Sequence, residues 1–196
     1  MADRFLITGL GNPEADYAGT RHNLGADTIR MLASEAGLRL KRHRAGGLVA
    51  DGTLANGDVP VTLFVPNGYM NNSGGPVQRA LRFYKLPLEQ LVVVHDELDL
   101  EAWTVRLKRG GGPGGHNGVR DIIGQCGPDF LRVRIGVGRP PGRQDPARFV
   151  LARIPAGQRD DALAAVHWAR EAVTDLVEIG LEAAQNIHHA RSSATP

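Results

Sequence analysis

The run LVVVHD at residues 91–96 constrains the fold more than any other stretch of this sequence. Consecutive valines favour an extended backbone, and a short apolar run without polar alternation is typical of a strand that is covered on both faces. Such a strand lies inside a sheet with helices on either side, and it carries Asp96 to one end of that sheet. We therefore expect a layered α/β domain.

The other segments alternate between strand-like and helix-like patterns. Residues 4–10, 103–109 and 131–138 are strand-like, and residues 48–66 give two runs around Asn56-Gly57, a dipeptide that favours an antiparallel hairpin. Helices are predicted from Thr20 to Gly37, from Asn72 or Ser73 through Tyr84, from His116, and over a single stretch at 158–187. The expected architecture is one domain, residues 1–196, with a twisted, mixed and mostly parallel β-sheet flanked by helices.

Composition excludes several classes of protein. Cys126 is the single cysteine and cannot form an internal disulfide. No span approaches the ~18 consecutive apolar residues of a membrane helix, and the N-terminal sequence MADRFLITGL has no leader pattern. We therefore expect a cytoplasmic protein with no membrane partner.

The charge is unevenly distributed. The net charge is only +2, but residues 101–144 hold eight Arg and Lys against three Asp and Glu. A basic cluster of this kind fits either a polyanionic partner or an ordinary solvated surface, and charge alone leaves both alternatives open.

Motifs for a bound cofactor or a covalent nucleophile are absent or broken. GLGNPE at 9–14 has two glycines of a dinucleotide fingerprint, but Pro13 interrupts the turn and Glu14 stands at the third glycine position. No phosphate-binding P-loop occurs, and the serine of NNSGG lacks the G-x-S-x-G context of a nucleophile. We therefore expect no cofactor.

Polar residues recur where the predicted strands end. Because the carboxyl ends of strands in an open α/β sheet meet at one crevice, these residues can form a site although they are distant in sequence. The asparagines could instead shape turns, and the aspartate could pair with an arginine. A metal site formed by His22, Asp96 and His116 is conceivable, but their positions show no paired ligand spacing, so no metal is expected. The residues are Asn12, His22, Asn71, Asp96, His116 and Asn117.

Four blocks of sequence together resemble the bacterial peptidyl-tRNA hydrolase family. They are GLGNPEADYAGTRHNLG, NGYMNNSG, VVVHDELDL, and GGGPGGHNGVRDII followed by RVRIGVGRP, and the resemblance runs from residue 6 to about 155. It implies a cytoplasmic enzyme, expected to be a monomer, that hydrolyses the ester between a peptide and the terminal ribose of tRNA. Such an enzyme recycles tRNA from stalled or aborted translation.

The resemblance also implies roles for individual residues. His22 matches the family's catalytic histidine, Asp96 its orienting carboxylate, and Asn71 an asparagine that we assign to the oxyanion or the attacking water. The remaining matches line the substrate pocket or contact tRNA phosphates. The pocket positions are Asn12, Tyr17, Met70, His116 and Asn117, and the tRNA positions are Lys108 and Arg134, with Arg106, Arg109, Arg132 and Arg143 expected around them.

Residue chemistry is consistent with that reaction. A neutral imidazole at His22 could take a proton from water while Asp96 fixes its tautomer, and no acyl-enzyme would be needed. A helix N-terminus would lower the pKa of His22 and the Asp96 charge would raise it, and the sequence does not decide between them. We expect the glycines at 110–115 to lie close to the peptide backbone and to move aside for a large substrate.

Two departures from the family pattern and two alternative functions remain. Glu14 stands where the family usually has glycine, and residues 65–68 read Val-Pro-Asn-Gly in place of the usual Lys-Pro-x-Thr. The first alternative function is a non-catalytic RNA-binding protein on the same fold. The second is a hydrolase of another ester or amide.

Overall fold

The computed structural model describes residues 3–54 and 57–191, and its strands form one seven-stranded sheet in the order β2-β3-β4-β1-β5-β7-β6. Five strands run in one direction, whereas β3 and β6 run opposite to them. The expected mixed, mostly parallel sheet is therefore confirmed. The strands are β1 (Phe5–Gly9), β2 (Lys41–His43), β3 (Gly47–Leu54), β4 (Val59–Pro66), β5 (Leu91–Glu97), β6 (Val105–Arg109) and β7 (Leu131–Gly136).

Helices cover both faces of this sheet. They are α1 (Glu14–Tyr17), α2 (Leu24–Glu35), α3 (Gly74–Tyr84), α4 (Asn117–Cys126), α5 (Pro146–Leu151), α6 (Arg159–Ile179) and α7 (Leu181–Ala190). Short 3-10 turns at Arg21–Asn23 and Met70–Asn72 directly precede α2 and α3. Among the described residues, no helix is long and apolar enough to span a membrane.

Strand β5 is buried on both faces, as its sequence predicts. Leu91 and Val93 belong to the apolar cluster beneath α3 and α4, whereas Val92 and Val94 belong to the cluster that includes α2 and α6. All four side chains are fully buried. The strand therefore joins the two cores and ends with Asp96 at the sheet's carboxyl edge.

Helix α2 starts unusually close to the sheet because its first turn contains Gly25. A Cβ at this position would lie 2.1 Å from the Val94 carbonyl oxygen, and one at Gly9 would lie 2.2 Å from the Gly25 oxygen. The Ala26 amide donates to the Leu10 carbonyl in the same contact. This close approach brings the turn that precedes α2 over the end of β5.

The C-terminal helical stretch differs from the prediction. The expected single helix is broken at Gly180, whose φ of 84° ends α6 and begins α7. Leu163 and Ile179, expected on its buried face, are 52% and 46% exposed. The break turns α7 onto the open edge of β6, where the Leu107 amide donates to His189 Nε2 and the Gln185 amide donates to the Leu107 carbonyl.

The predicted helix caps also differ in detail. The Thr20 hydroxyl donates to the Tyr17 carbonyl and the Ser73 hydroxyl donates to the Met70 carbonyl, so each stabilises the preceding turn rather than capping a helix. The hairpin of β3 and β4 is confirmed. Asn56 of its predicted turn lies outside the described residues.

Candidate active site

A cleft of about 500 Å³ opens at the carboxyl edge of the sheet. Its walls are formed by the segments that follow β1, β4 and β5, by the residues before α4, and by α5. The structure brings together all eight pocket residues expected from the sequence. These are Asn12, Tyr17, His22, Met70, Asn71, Asp96, His116 and Asn117.

His22 and Asp96 form a buried pair although they are 74 positions apart in sequence. His22 Nδ1 lies 2.9 Å and 3.0 Å from the two Asp96 carboxylate oxygens. Because a carboxylate only accepts, Nδ1 carries the hydrogen and the neutral ring has its lone pair on Nε2. No protein partner for Nε2 is found among the described residues, and the ring borders the cleft.

His116 is the second donor to the same carboxylate. Its Nε2 lies 2.9 Å from Asp96 Oδ1, and its Nδ1 accepts from the Val119 amide at 3.3 Å as the N-cap of α4. Both ring nitrogens of His116 are therefore occupied. Only His22 has a nitrogen available to a substrate or a water molecule, and this difference separates two histidines whose ring centroids are only 4.6 Å apart.

The pKa values follow from this arrangement. Burial opposes the charge on Asp96, but the interactions with His22 and His116 outweigh it and hold the pKa of the carboxyl well below its usual range. Burial likewise lowers the pKa of His22, yet the Asp96 charge and hydrogen bond outweigh burial and raise it. Burial lowers the pKa of His116 despite the same carboxylate. At His22 the carboxylate therefore outweighs burial, and the effect of the helix N-terminus on this pKa stays a prediction.

Among the described residues, the side chains of His22, Asp96 and His116 form a group that could hold a metal ion. Ligand atoms of His22, Asp96 and His116 lie within 4.8 Å of one another. Each imidazole, however, already directs a nitrogen at the carboxylate, so an ion would have to replace both hydrogen bonds. Both carboxylate oxygens of Asp96 are thus occupied by imidazole donors.

Asn12 is fixed by a residue that sequence reasoning missed. Asn23, 1% exposed, accepts from the Asn12 amide at 2.8 Å and donates to its carbonyl at 3.1 Å. The Asn12 side-chain oxygen accepts from the Met70 amide at 2.7 Å, which links the segments after β1 and β4. The Nδ2 amide of Asn12 remains as the donor toward the cleft. The position of Asn23 directly after His22 was its only sequence signal.

Asn71 and Asn117 are both exposed and both line the cleft. Asn71 lies in the 3-10 turn before α3, and Asn117 is the first residue of α4. The Asn117 oxygen accepts from Arg120 at 2.7 Å, so its amide is also directed as a donor. The exposed aromatic ring of Tyr69 lies beside Asn71 on the cleft wall.

Arg132 corrects one expectation about the basic residues. It was expected near tRNA phosphates, but it is 1% exposed and donates to the carbonyls of Gly111 and Gly112, both at 2.6 Å. The glycine loop, residues 110–115, is thus anchored in its first half by a buried guanidinium.

Lys108 and Arg134 lie beside the cleft rather than in its lining. Arg134 pairs in register with His95, one position before Asp96. A Cβ on Gly111 would lie 2.8 Å from Lys108 Nζ, so the glycine loop passes close to this ammonium group. Burial and the neighbouring Arg134 lower the pKa of Lys108.

Helix α5 forms a wall of the cleft that sequence analysis did not anticipate. Arg21 holds this helix in place, because its guanidinium lies 3.9 Å from the centre of the Phe149 ring and donates to Gln158 at 3.0 Å.

Glu14, which stands where the family usually has glycine, pairs with Arg30 at 3.2 Å. The extra carboxylate is therefore partly neutralised by a neighbouring arginine.

Comparisons with known proteins agree with this geometry. A family model described as Peptidyl-tRNA hydrolase matches residues 6–195. A peptidyl-tRNA hydrolase of Kineococcus radiotolerans is 50% identical, with 97% of this chain and 99% of the relative covered. One from Mycobacterium marinum is 49% identical, with 97% and 100% covered.

A solved structure shows the same similarity in three dimensions. The crystal structure of peptidyl-tRNA hydrolase from Acinetobacter baumannii aligns with a TM-score of 0.90 at 38% identity. The alignment covers 99% of this chain and 98% of that chain.

Proposed function

Since this chain belongs to the peptidyl-tRNA hydrolase family and hydrolyses the ester of peptidyl-tRNA, we propose that His22, oriented by Asp96, is the general base of the reaction. The observation that carries this proposal is the asymmetry of the His22 ring. Its Nδ1 is held by the buried carboxylate, whereas its Nε2 borders the cleft without a protein partner among the described residues.

The proposed reaction uses one water molecule and one proton shuttle. His22 Nε2 takes a proton from water as the oxygen attacks the ester carbonyl, and the C=O π electrons move to the carbonyl oxygen. When the tetrahedral intermediate collapses, the bond to the ribose oxygen breaks and Nε2–H returns the proton to that oxygen. The products are the free peptide carboxyl group and the tRNA hydroxyl. General-base catalysis of this kind contributes about 10²- to 10⁴-fold.

The asparagines supply uncharged donors around the reacting ester. We assign Asn71 to the developing oxyanion or the attacking water, because it is exposed on the cleft wall. Asn12 and Asn117 each have their oxygen occupied by a protein donor, which turns their Nδ2 amides toward peptide carbonyls. Contacts to main-chain groups would make hydrolysis indifferent to the peptide's side chains. Tyr17 and Met70 complete the pocket wall.

Lys108 and Arg134 are proposed to hold phosphates of the acceptor stem. Arg134 lies on β7, next to β5, and Lys108 lies on β6, the strand beyond β7. In the described chain, Glu97 forms no ion pair with either residue within 4.0 Å. Their contacts would position the RNA without reading its bases.

Two alternatives are disfavoured by the same features. A protein that only bound RNA would have no use for a buried carboxylate that orients a free imidazole nitrogen. A hydrolase of unrelated esters would not require basic residues next to the cleft.

We further propose that the enzyme acts in the cytoplasm, where translation generates its substrate, and that it acts as a monomer.

The experiment compares His22→Ala with His167→Ala, an exposed histidine on α6. With N-acetylaminoacyl-tRNA as substrate, His22→Ala should lower kcat by about 10²- to 10⁴-fold, while the KM and the melting temperature change little. His167→Ala should match the parent enzyme. Near-normal kcat in His22→Ala would remove this residue from the mechanism, and a small ester used alongside would reveal a broader esterase.

A further inference from the structure

A second cavity, of about 380 Å³, lies between helix α3 and the turn that joins β2 and β3. It is separate from the His22 cleft and shares none of its lining residues. Three arginines and one aromatic ring form most of its surface. We name this cavity the basic groove, and its residues are Arg44, Ala45, Arg79, Arg82 and Phe83.

The arginines of the basic groove have no acidic partners. Among the described residues, no carboxylate lies within 4.0 Å of the guanidinium groups of Arg44, Arg79 or Arg82, whereas arginines elsewhere on the surface, such as Arg4 and Arg139, form ion pairs. Lys41, Arg42 and Lys85 add exposed positive charge on the neighbouring segments. Like charges gathered without counter-charges repel one another, and an anionic ligand would relieve that repulsion.

Two of the arginines are held in fixed positions. The Arg79 Nε donates to the Ala45 carbonyl at 3.0 Å, and its Nη2 lies against Gly46, where a Cβ would be only 2.7 Å away. The Arg44 guanidinium lies 4.5 Å from the centre of the Phe83 ring. Anchoring through Nε and through ring stacking leaves the Nη groups for a ligand, and prior ordering reduces the entropy lost on binding.

The basic groove and the catalytic cleft share one edge of the sheet. The turn carrying Arg44 precedes Gly47, which pairs with Pro66 at the carboxyl end of β4. The Gly46 carbonyl accepts from the Asn67 amide, and Asn67 leads directly to Tyr69 in the cleft wall. Only β4 separates β3 from β1, so the turn lies roughly 10 Å to the side of β1.

The basic groove also lies opposite the other basic region. In the sheet order, β3 and β4 flank β1 on one side, whereas β7 and β6, with Arg134 and Lys108, lie beyond β5 on the other. The cleft is therefore placed between two positively charged surfaces. A substrate whose reacting end enters the cleft and whose body is a polyanion could contact both.

We propose that the basic groove binds the sugar–phosphate backbone of the tRNA body, at a point distant from the ester. The proposal rests on the proposed function, because it concerns the same substrate. Guanidinium groups suit phosphodiesters, and the Phe83 ring, 42% exposed, offers a face to a ribose or an unpaired base. The contact supplies affinity without sequence preference and takes no part in the chemistry.

The test compares two double variants that lose the same charge. Arg44→Gln with Arg79→Gln alters the basic groove, while Arg4→Gln with Arg191→Gln removes two arginines that lie in ion pairs elsewhere. Glutamine at position 79 retains a donor for the Ala45 carbonyl. Each variant is assayed with N-acetylaminoacyl-tRNA and with N-acetylaminoacyl-adenosine, which has the ester but no RNA body.

For the groove variant, we expect kcat/KM on the tRNA substrate to fall about tenfold through KM, and the salt dependence of log kcat/KM to lose between about one and two units of slope. Turnover of the adenosine substrate should stay within about twofold of the parent. Equal losses on both substrates, or a loss no larger than in the control variant, would overturn the proposal. Failure of the proposed function is recognised separately, since His22→Ala would then still hydrolyse the adenosine substrate.

Discussion

The substitution Asp96→Asn tests the catalytic arrangement most directly, because it removes the charge and keeps the shape. In the parent enzyme, Asp96 accepts hydrogen from both His22 Nδ1 and His116 Nε2. An asparagine has one oxygen and one amide nitrogen, so it can accept on one side only. His116 is held in its tautomer by the Val119 amide and keeps the oxygen at the Oδ1 position. His22 Nδ1 then meets the new NH₂ group at the Oδ2 position, 3.0 Å away, and has to share the one remaining oxygen with His116.

This mismatch selects the wrong tautomer of His22. To satisfy the amide donor, Nδ1 must become the acceptor, and the ring hydrogen then moves to Nε2, the nitrogen that should take a proton from water. The tautomer with a free Nε2 becomes a minor species, so we expect kcat to fall by about 10²- to 10⁴-fold. That factor corresponds to a transition-state destabilisation of about 3–5 kcal/mol.

The residual activity should also have a different pH dependence. The pKa of His22 is raised in the parent because the Asp96 charge outweighs burial, so the rate falls on the acid side as pH drops through a value above about 6.5. Without that charge, burial remains and the pKa falls below its usual value. Among neutral His22 rings, the fraction in the active tautomer does not vary with pH. The pH dependence of the weak residual activity therefore still reports the pKa of His22.

The assay is the rate of N-acetylaminoacyl-tRNA hydrolysis at limiting substrate between about pH 5 and about pH 9. The acid limb of kcat/KM should move to lower pH in Asp96→Asn. Asp99→Asn is the control, since Asp99 lies close by in sequence, is exposed, and pairs with Arg139 at 2.6 Å. An unshifted limb, or a rate within tenfold of the parent, would refute the assigned role of the carboxylate.

Three further predictions concern Arg132 and two glycines. Arg132→Lys cannot hold the carbonyls of Gly111 and Gly112 together, so kcat/KM should fall roughly tenfold on the adenosine substrate as well as on tRNA, and a loss confined to tRNA would contradict the anchoring role. Gly25→Ala places a Cβ 2.1 Å from the Val94 oxygen and should cost about 1–3 kcal/mol or more of unfolding free energy, measured by urea denaturation. Gly124→Ala, with no atom within 4 Å, should instead stabilise α4 by about 0.5–1 kcal/mol.

Local patterns predicted the elements whose environment is uniform along their length. The valines of β5 have neighbours of one kind on each face, so their sequence is sufficient to place the strand. The C-terminal stretch was predicted as one helix because its apolar periodicity continues through Gly180. The break there depends on what α7 covers, the edge of β6, and that contact joins residues about 80 positions apart.

The basic residues of β7 show the limit of pattern reasoning in the site itself. Arg132 and Arg134 are two positions apart and therefore point to the same face of the strand, so the sequence gives no reason to treat them differently. Arg132 is covered by the glycine loop and satisfied by its carbonyls, whereas Arg134 lies next to Glu97 and is only half-buried. The glycine loop, about 20 positions earlier in the sequence, binds Arg132 through its carbonyls and leaves Arg134 as the arginine proposed to meet a phosphate.

The difference between His22 and His116 also comes from their contacts and not from their residue type. His22 and His116 both donate to Asp96, and nothing in either residue type distinguishes a base from a fixed neighbour. The distinction comes from the second nitrogen, which in His116 is used by the first turn of α4 and in His22 is left free. One buried carboxylate with two imidazole donors can thus raise the pKa of His22 while burial lowers that of His116, which agrees with the proposal that His22 alone acts as the base.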